Sequence, residues 1–369
     1  MNNKVCVYTV CKDESKFVDR FCDSVLEADC VVAIVHDTKD DTAEKLIKRG
    51  VKVVFTHYPQ WRFDKSKNDA LKWAKQLAPD CNIFAFVSLD EVFDKGWAQL
   101  LRDNWRPEHE ICLYKFIQSH DDFGRDALAT GFNWIHNRDD AWYWKFPVDE
   151  VIIRDDKPVE DLVYLNLFDK LTLHHWADYS KPRPYVDLHR LRYKEDPCDT
   201  SVLCLVRDFR WMRAHDELDE LMKDRNVDDM NLNEEEKSFI TMALGDKERA
   251  RGNTGEAIKL YKRAMELCPS FRDPYIQLGT LLCDLEFYSQ AEEVFKKSFE
   301  KTWRSYSYLE DPNNWDSTPY TWTAVSLYYQ DKIAEAFAYA ALAKDKNPYD
   351  ELAKSNYDIC LTRLKEVVK

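Results

Sequence analysis

The sequence predicts an α/β domain with a mostly parallel, Rossmann-like sheet, followed by an all-α domain built from a repeated helix pair. Three observations carry this expectation. Apolar runs with strand character alternate with helical patterns through the first part of the 369-residue chain. The second part is almost wholly helical in pattern. One register recurs there at a fixed offset. The boundary is expected between residues 185 and 186, giving domains 1–185 and 186–369.

The first strand is "KVCVYTVC" (4–11), an apolar, β-rich run, and the helix after it (13–28) spaces Phe17, Phe21, Val25 and Leu26 along one face. "CVVAIVH" (30–36) is a second strand. The helix "DDTAEKLIKRG" is closed by Gly50, as helix ends commonly are. "VKVVFTH" is a third strand, "DKSKNDALKWAKQLA" a further helix, and "NIFAFVSL" a fourth strand. Such alternation predicts parallel strands with helices on both faces. Ligands of such sheets bind outside the carboxyl ends of the strands. The tips at Cys11–Glu14, His36–Asp37 and Ser88–Glu91 should therefore share one rim.

In the second part, Leu244, Ala257 and Tyr261 reappear as Leu278, Ala291 and Phe295, each 34 residues on (278 − 244 = 34). A third copy runs from Ala336 to Pro348, after an insertion, "WRSYSYLEDPNNWDSTPY". A 34-residue helix-turn-helix period with small residues at the crossings is the tetratricopeptide pattern. Each pair leaves an apolar face that only the next pair covers. Residues 207–224 read as a degenerate first unit.

The net charge of −14 argues against non-specific adhesion to nucleic acid or anionic membrane. No stretch approaches the roughly 20 apolar residues of a membrane span, so no membrane partner is expected. The start, "MNNKVCVYTVCKDE", shows no signal segment, and no CxxC occurs among the eleven cysteines. A cytoplasmic protein with reduced thiols is expected.

The fourth strand ends in adjacent acids, Asp90 and Glu91. Carboxylates there can hold Mg²⁺ or Mn²⁺ against a diphosphate. Equally, Asp90 can cap a following helix. Asp37 ends the second strand, where an acid can accept from a ribose. Lys65, Lys67 and Asn68 lie near a helix start suited to phosphate. These features together describe a nucleotide-diphosphate site. Neither GxGxxG nor GxxxxGK[ST] is present, which counts against dinucleotide and P-loop sites.

The motifs "CKDE", "DTKDDT", "FDKSKND" and "VSLDE", in this order, resemble those of family 2 glycosyltransferases with the GT-A fold. Downstream, "LTLHHWADYSKPRPYVDLHRLRYKEDPCD" and "SYSYLEDPNNWDSTPYTWTAVSLYY" resemble the subgroup with C-terminal tetratricopeptide repeats, which includes sublancin-type peptide S-glycosyltransferases and phage relatives. The resemblance implies that Val10, Cys11, Lys12, Glu14 and Asp37 line the nucleotide pocket, with Lys67 and Asn68 near the diphosphate. It implies Asp90 as metal ligand, joined by His175 ahead of His174. Ser88 stands where the family has the first acid of Asp-x-Asp, and Lys67 where it has Arg.

Inverting transfer needs a carboxylate to take the acceptor's proton. "YWKFPVDEVI" offers Glu150, which matches the family, and Asp149. Trp134, Trp142, Tyr143 and Trp144 read either as a sugar or acceptor platform or as core of a smaller second sheet. The expectation is a Mn²⁺- or Mg²⁺-dependent, inverting transferase using a UDP-sugar, with a peptide or protein Ser, Thr or Cys as acceptor. The repeats would hold the acceptor or mediate a homodimer. Hydroxymethylated phage DNA, met by residues 181–194, is the rival acceptor. A degenerate repeat scaffold is the non-enzymatic alternative.

Overall fold

The computed structural model describes residues 3–120, 124–178, 185–302, 304–305 and 307–367. Part of the basic run 181–194, residues 181–184, lies outside them. Two compact units divide the chain, Met1–Glu195 and Asp196–Lys369. The division falls ten residues beyond the expected boundary (195 − 185 = 10), because one helix belongs with the first unit. Its Glu195 forms a two-pronged pair with Arg62 (2.6 and 2.9 Å). Its Arg192 donates to the carbonyls of Val148 and Asp149.

The first unit runs β1 (Val5–Cys11), α1 (Val18–Val25), β2 (Cys30–His36), α2 (Thr42–Lys48), β3 (Lys52–Thr56), α3 (Phe63–Leu77), β4 (Ile83–Phe86), β5 (Glu91–Phe93), α4 (Trp97–Asn104), β6 (Ile111–His120), β7 (Asp126–Asn137), β8 (Tyr143–Lys145), β9 (Val151–Ile153), β10 (Tyr164–Asn166), β11 (Thr172–His175) and α5 (Val186–Glu195). Its main sheet has the order β3-β2-β1-β4-β7-β6-β11-β5, with β10 added to β6. Strands β3, β2, β1 and β4 are parallel, as expected. Beyond them the sheet is mixed. β7 runs antiparallel to both β4 and β6, and β5 antiparallel to β11. The second sheet is the β8–β9 pair.

Alternation along β1 builds two cores. Val5 and Val7 face α1 residues Val18, Phe21 and Val25. Cys6 and Tyr8 face Ala70, Leu71 and Ala74 of α3, with Trp142 and Trp144. Each fully buried Val or Phe contributes about 1.5–3 kcal/mol. The strand order reverses between β1 and β4, so the crevice of such a sheet lies at their carboxyl ends. Asp90 caps no helix. Residues 91–93 form β5, and α4 begins only after Gly96, whose φ of 86° needs glycine.

The second unit is helical: α6 (Asp199–Met212), α7 (His215–Met222), α8 (Glu234–Ala250), α9 (Thr254–Leu267), α10 (Asp273–Asp284), α11 (Tyr288–Phe299), α12 (Thr318–Tyr328), α13 (Ile333–Lys346) and α14 (Glu351–Val367). The expected degenerate unit, 207–224, falls on the last part of α6 and on α7, which are joined through Arg213 in the left-handed region, and the pair begins eight residues earlier, at Asp199 (207 − 199 = 8). Helix α8 starts with a capping box, Asn233 with Glu236.

The repeat is visible in its packing. A Cβ on Gly245 of α8 would stand 2.7 Å from the Tyr261 ring of α9, and one on Gly279 of α10 would enter the Phe295 ring of α11. Both partners sit 34 residues apart (279 − 245; 295 − 261). In the third pair both sides are small, Ala324 and Ala340, fully buried in one cluster. The insertion docks on the start of α10, where buried Asp273 accepts from Asn314 Nδ2 (2.7 Å) and the Asp311 amide (2.8 Å). All eleven cysteines are unpaired thiols. No helix among the described residues is long and apolar enough to cross a membrane.

Two outcomes follow from this packing. Gly279→Ala should destabilise the chain by about 1–3 kcal/mol by overpacking, despite alanine's better helix propensity. Gly255→Ala, which meets nothing within 4 Å, should not lower stability. Urea unfolding of the two variants checks this. Burial pushes the Asp273 carboxyl up from 3.8 to about 7, although its hydrogen bonds oppose the shift. The unfolded chain then releases this proton at lower pH than the folded one. Asp273's contribution to stability should therefore fall as pH rises from about 4 to about 7. Urea unfolding at pH 5 and pH 8 should show a smaller loss in Asp273→Asn than in the unaltered chain.

Candidate functional site

Three strand tips meet at the rim. After β1, Asp13 accepts from the Lys39 amide (2.6 Å) and Thr38 Oγ1 (3.2 Å), and the Glu14 amide donates to Thr42 Oγ1 (2.9 Å). The β1 and β2 tips are thus laced together. Of the residues expected in a nucleotide pocket, Lys12 is exposed, Val10 and Glu14 are half-buried, and Asp37 is exposed. Cys11 differs. Its thiol is buried against the Ile34 carbonyl and burial pushes its pKa up, so it serves the core.

Asp37 adopts a left-handed backbone (φ 40°) that turns its carboxylate toward His57 Nδ1 (2.6 Å) and His36 Nδ1 (3.4 Å). The His57 bond, then the charges of His57, His36 and Lys12, hold Asp37 below the usual carboxylate range against some desolvation. His36 lies nearly parallel to Trp61 (centroids 5.2 Å, 25°), and Trp61 meets Tyr58 edge-on. His57 and Trp61 escaped sequence reasoning, and His36 was placed on the rim without a role. The histidine in "TH" after the third strand was the available signal.

At the β4 tip, Asp90 and His175 come together from positions 85 residues apart, with Asp90 Oδ2 3.2 Å from His175 Nε2. Register explains this: β11 lies antiparallel to β5, pairing His175 with Glu91. His175 Nδ1 is bonded to the Gln118 carbonyl, leaving Nε2 for Asp90. Burial disfavours the charged ring, but Asp90 and Glu91 outweigh it and raise the His175 pKa. Glu91 is buried and accepts from the Ser88 amide (2.7 Å), so Ser88 contributes its backbone here. Desolvation pushes Glu91 up to about 7. Arg20 of α1 is exposed, within electrostatic reach of Asp90, and over the Trp176 ring (5.7 Å). It too was missed, hidden in an ordinary amphipathic helix.

Four expectations are revised by α3 and the β8–β9 segment. Lys67 does not face the rim. Its side chain is 4% exposed, and the ammonium is ion-paired with Glu150 and sits over Trp134 (3.6 Å), Phe86 (3.8 Å) and Trp144 (4.3 Å). Desolvation lowers its pKa while Glu150 opposes the shift. Asn68 is likewise occupied, its amide bonded to both the N–H and the carbonyl of Trp144 (2.8 Å each). Glu150, only 9% exposed, is held by Lys67, whereas Asp149 is 38% exposed and bonded to His189 Nε2 (3.0 Å). Asp149 is thus the accessible acid of the pair. Trp142 and Trp144 are core, their indoles bonded to Asn137 and to the Tyr8 hydroxyl. Only Trp134 and Tyr143 keep part of their surface open.

The interlocked glycines and rings, at a 34-residue period, decide the second unit. It is a tetratricopeptide-type helical array. No protein-family model matches the chain, and no curated protein does. Similar solved structures include the first TPR domain of human RPAP3, with 16% identity over 35% of this chain and 93% of that one (TM-score 0.31). The first TPR of Spaghetti (RPAP3) bound to an HSP90 peptide matches at 16% identity over 36% and 99% (TM-score 0.31). MamA matches at 17% over 44% and 86% (TM-score 0.34).

The enclosed ion pair predicts a double-mutant result. Lys67→Met alone should cost about 3–5 kcal/mol by stranding Glu150, and Lys67→Met with Glu150→Leu should recover most of it. Chemical denaturation of the two variants measures the difference. Equal losses would mean that the pair carries no mutual stabilisation.

Proposed function

We propose that the chain is a GT-A-type glycosyltransferase that moves a sugar from a UDP-sugar to a peptide or protein side chain, with inversion. The observation that carries this reading is the Asp90–His175 pair at the carboxyl ends of β4 and β11, beside the β1/β4 crevice. The residues fit an Mn²⁺ or Mg²⁺ ion. Two cis ligands of an ion at about 2.1 Å stand about 3 Å apart, close to the 3.2 Å seen here. An imidazole in the set favours Mn²⁺ over Mg²⁺. A bound ion supplies charge neutralisation at the diphosphate leaving group.

The chain's own groups do the rest. Asp37 accepts from the ribose hydroxyls. Trp61, backed by His36, offers a flat face to the base. Arg20 takes the role expected of Lys67, meeting diphosphate oxygens with a planar, always-charged fork. The acceptor oxygen or sulfur attacks the sugar's anomeric carbon as the bond to the diphosphate breaks. Asp149 takes the acceptor's proton, and His189 orients that carboxylate. The helical array presents the acceptor peptide.

A second reading, a repeat scaffold without catalysis, is favoured by Ser88 in place of an acid and by the mutual neutralisation of Lys67 and Glu150. Donor hydrolysis separates the two. The purified chain with Mn²⁺ and a panel of UDP-sugars should release UDP, and Asp90→Asn and His175→Ala should each cut release by about 100-fold or more. Asp149→Asn should keep donor hydrolysis and lose about 10²–10⁴-fold in transfer to peptide. No release from any donor by the unaltered chain would leave only the scaffold.

A further inference from the structure

On the other face of β11 from His175, three more ligand-type side chains converge. β-strand alternation sends His174 away from Asp90 and toward the β6–β7 hairpin. There His120, the last residue of β6, pairs with Asp126, the first of β7. The hairpin register shifts on both sides of Ser119, and such bulges re-aim side chains. As a result His120 Nε2 lies 3.1 Å from His174 Nδ1, and Asp126 Oδ1 lies 3.8 Å and 4.0 Å from these two nitrogens.

We propose that His120, His174 and Asp126 form a second metal site, for a divalent first-row transition ion of the zinc class, distinct from Asp90–His175. Ligand atoms on a tetrahedral ion at about 2.0–2.1 Å stand about 3.3 Å apart, so the three separations need only small adjustment. In the ion-free chain the two imidazoles close on each other through one shared proton. An ion takes the place of that proton as the rings turn. Two imidazoles and one carboxylate leave a fourth position for water or substrate.

An acid and an aromatic ring frame the two imidazoles. His174 Nε2 lies 3.4 Å from Asp94 Oδ1, so a carboxylate stands behind the ring on the side away from Nδ1. The His120 ring lies flat on Trp176 (centroids 3.7 Å, 2°) and is 6% exposed, which holds its orientation. Asp126, 53% exposed, leaves the site open to solvent. The imidazole-rich set selects zinc-class ions, whereas the Asp90 site relies on oxygen donors from its substrate. The ion would clip the last residue of β6 and the first of β7 to the strand that carries His175.

Cobalt(II) tests this in the full chain stripped with chelator, without nucleotide. Titration should produce a visible ligand-field band saturating at one equivalent and displaced by Zn²⁺. His120→Ala and His174→Ala should each weaken binding by more than about 100-fold, and Asp94→Asn by about 10–100-fold. Asp90→Asn should keep the band, and circular dichroism should report folded variants. Absence of the band in the unaltered chain would reduce the cluster to a hydrogen-bonded histidine pair. A band lost in Asp90→Asn yet kept in His120→Ala and His174→Ala would assign the ion to the other site. Either result overturns the proposal.

Discussion

The Lys67 ammonium, closed off from water by three aromatic rings and one carboxylate, is the constraint on which much of the first unit depends. An unpaired buried charge is too costly to keep, so every partner must be in place at once. The partners come from different elements: Phe86 from β4, Trp134 from β7, Trp144 from β8 and Glu150 from the segment before β9. Asn68, the next residue of α3, fixes the β8 backbone through two further bonds. Together these contacts set the small sheet against α3. They also decide which of two adjacent acids is available, because Glu150 turns inward and Asp149, at a φ of 47°, turns out.

At the rim the same electrostatics run in the opposite direction. The chain carries an excess of acid, yet its candidate site gathers Lys12, Arg20, His36, His57 and His175 around Asp37 and Asp90. The buried run of β4 delivers Asp90 and Glu91 to the one edge where the strand order reverses. Desolvation there works differently on neighbouring acids. Desolvation raises the Glu91 pKa to about 7, while Asp90 stands against a histidine whose pKa its charge raises. The cations above this edge suit an anionic ligand. Overall charge concealed that local balance.

The elements of the first four strands and the 34-residue helical period were legible because each depends on local periodicity. So was the placing of the Asp37 and Asp90 tips on one rim, since strand tips of a parallel sheet share an end, whereas His175 entered only through the family resemblance. The antiparallel half of the sheet was not legible, because short strands such as Glu91–Phe93 carry little pattern of their own. The place of Lys67 was readable in principle. It falls three, four and seven residues before Ala70, Leu71 and Ala74, in the stripe that α3 buries. A lysine in an apolar stripe signals an enclosed charge more than a phosphate contact. The tryptophans were ambiguous for a physical reason: a ring that lines a site and a ring that fills a core have the same composition, and only the indole partners of Trp142 and Trp144 tell them apart.

Gly245 with Tyr261, Gly279 with Phe295, and Ala324 with Ala340 trade volume across each helix pair. The helices of the third pair are consequently not interchangeable with those of the first two. A helix carrying the aromatic residue would collide with a partner bearing alanine, and a helix carrying alanine would leave a void opposite glycine. An exchange that set a helix of the third pair against one from the first two would therefore cost packing, and the place of that pair in the array is fixed by volume.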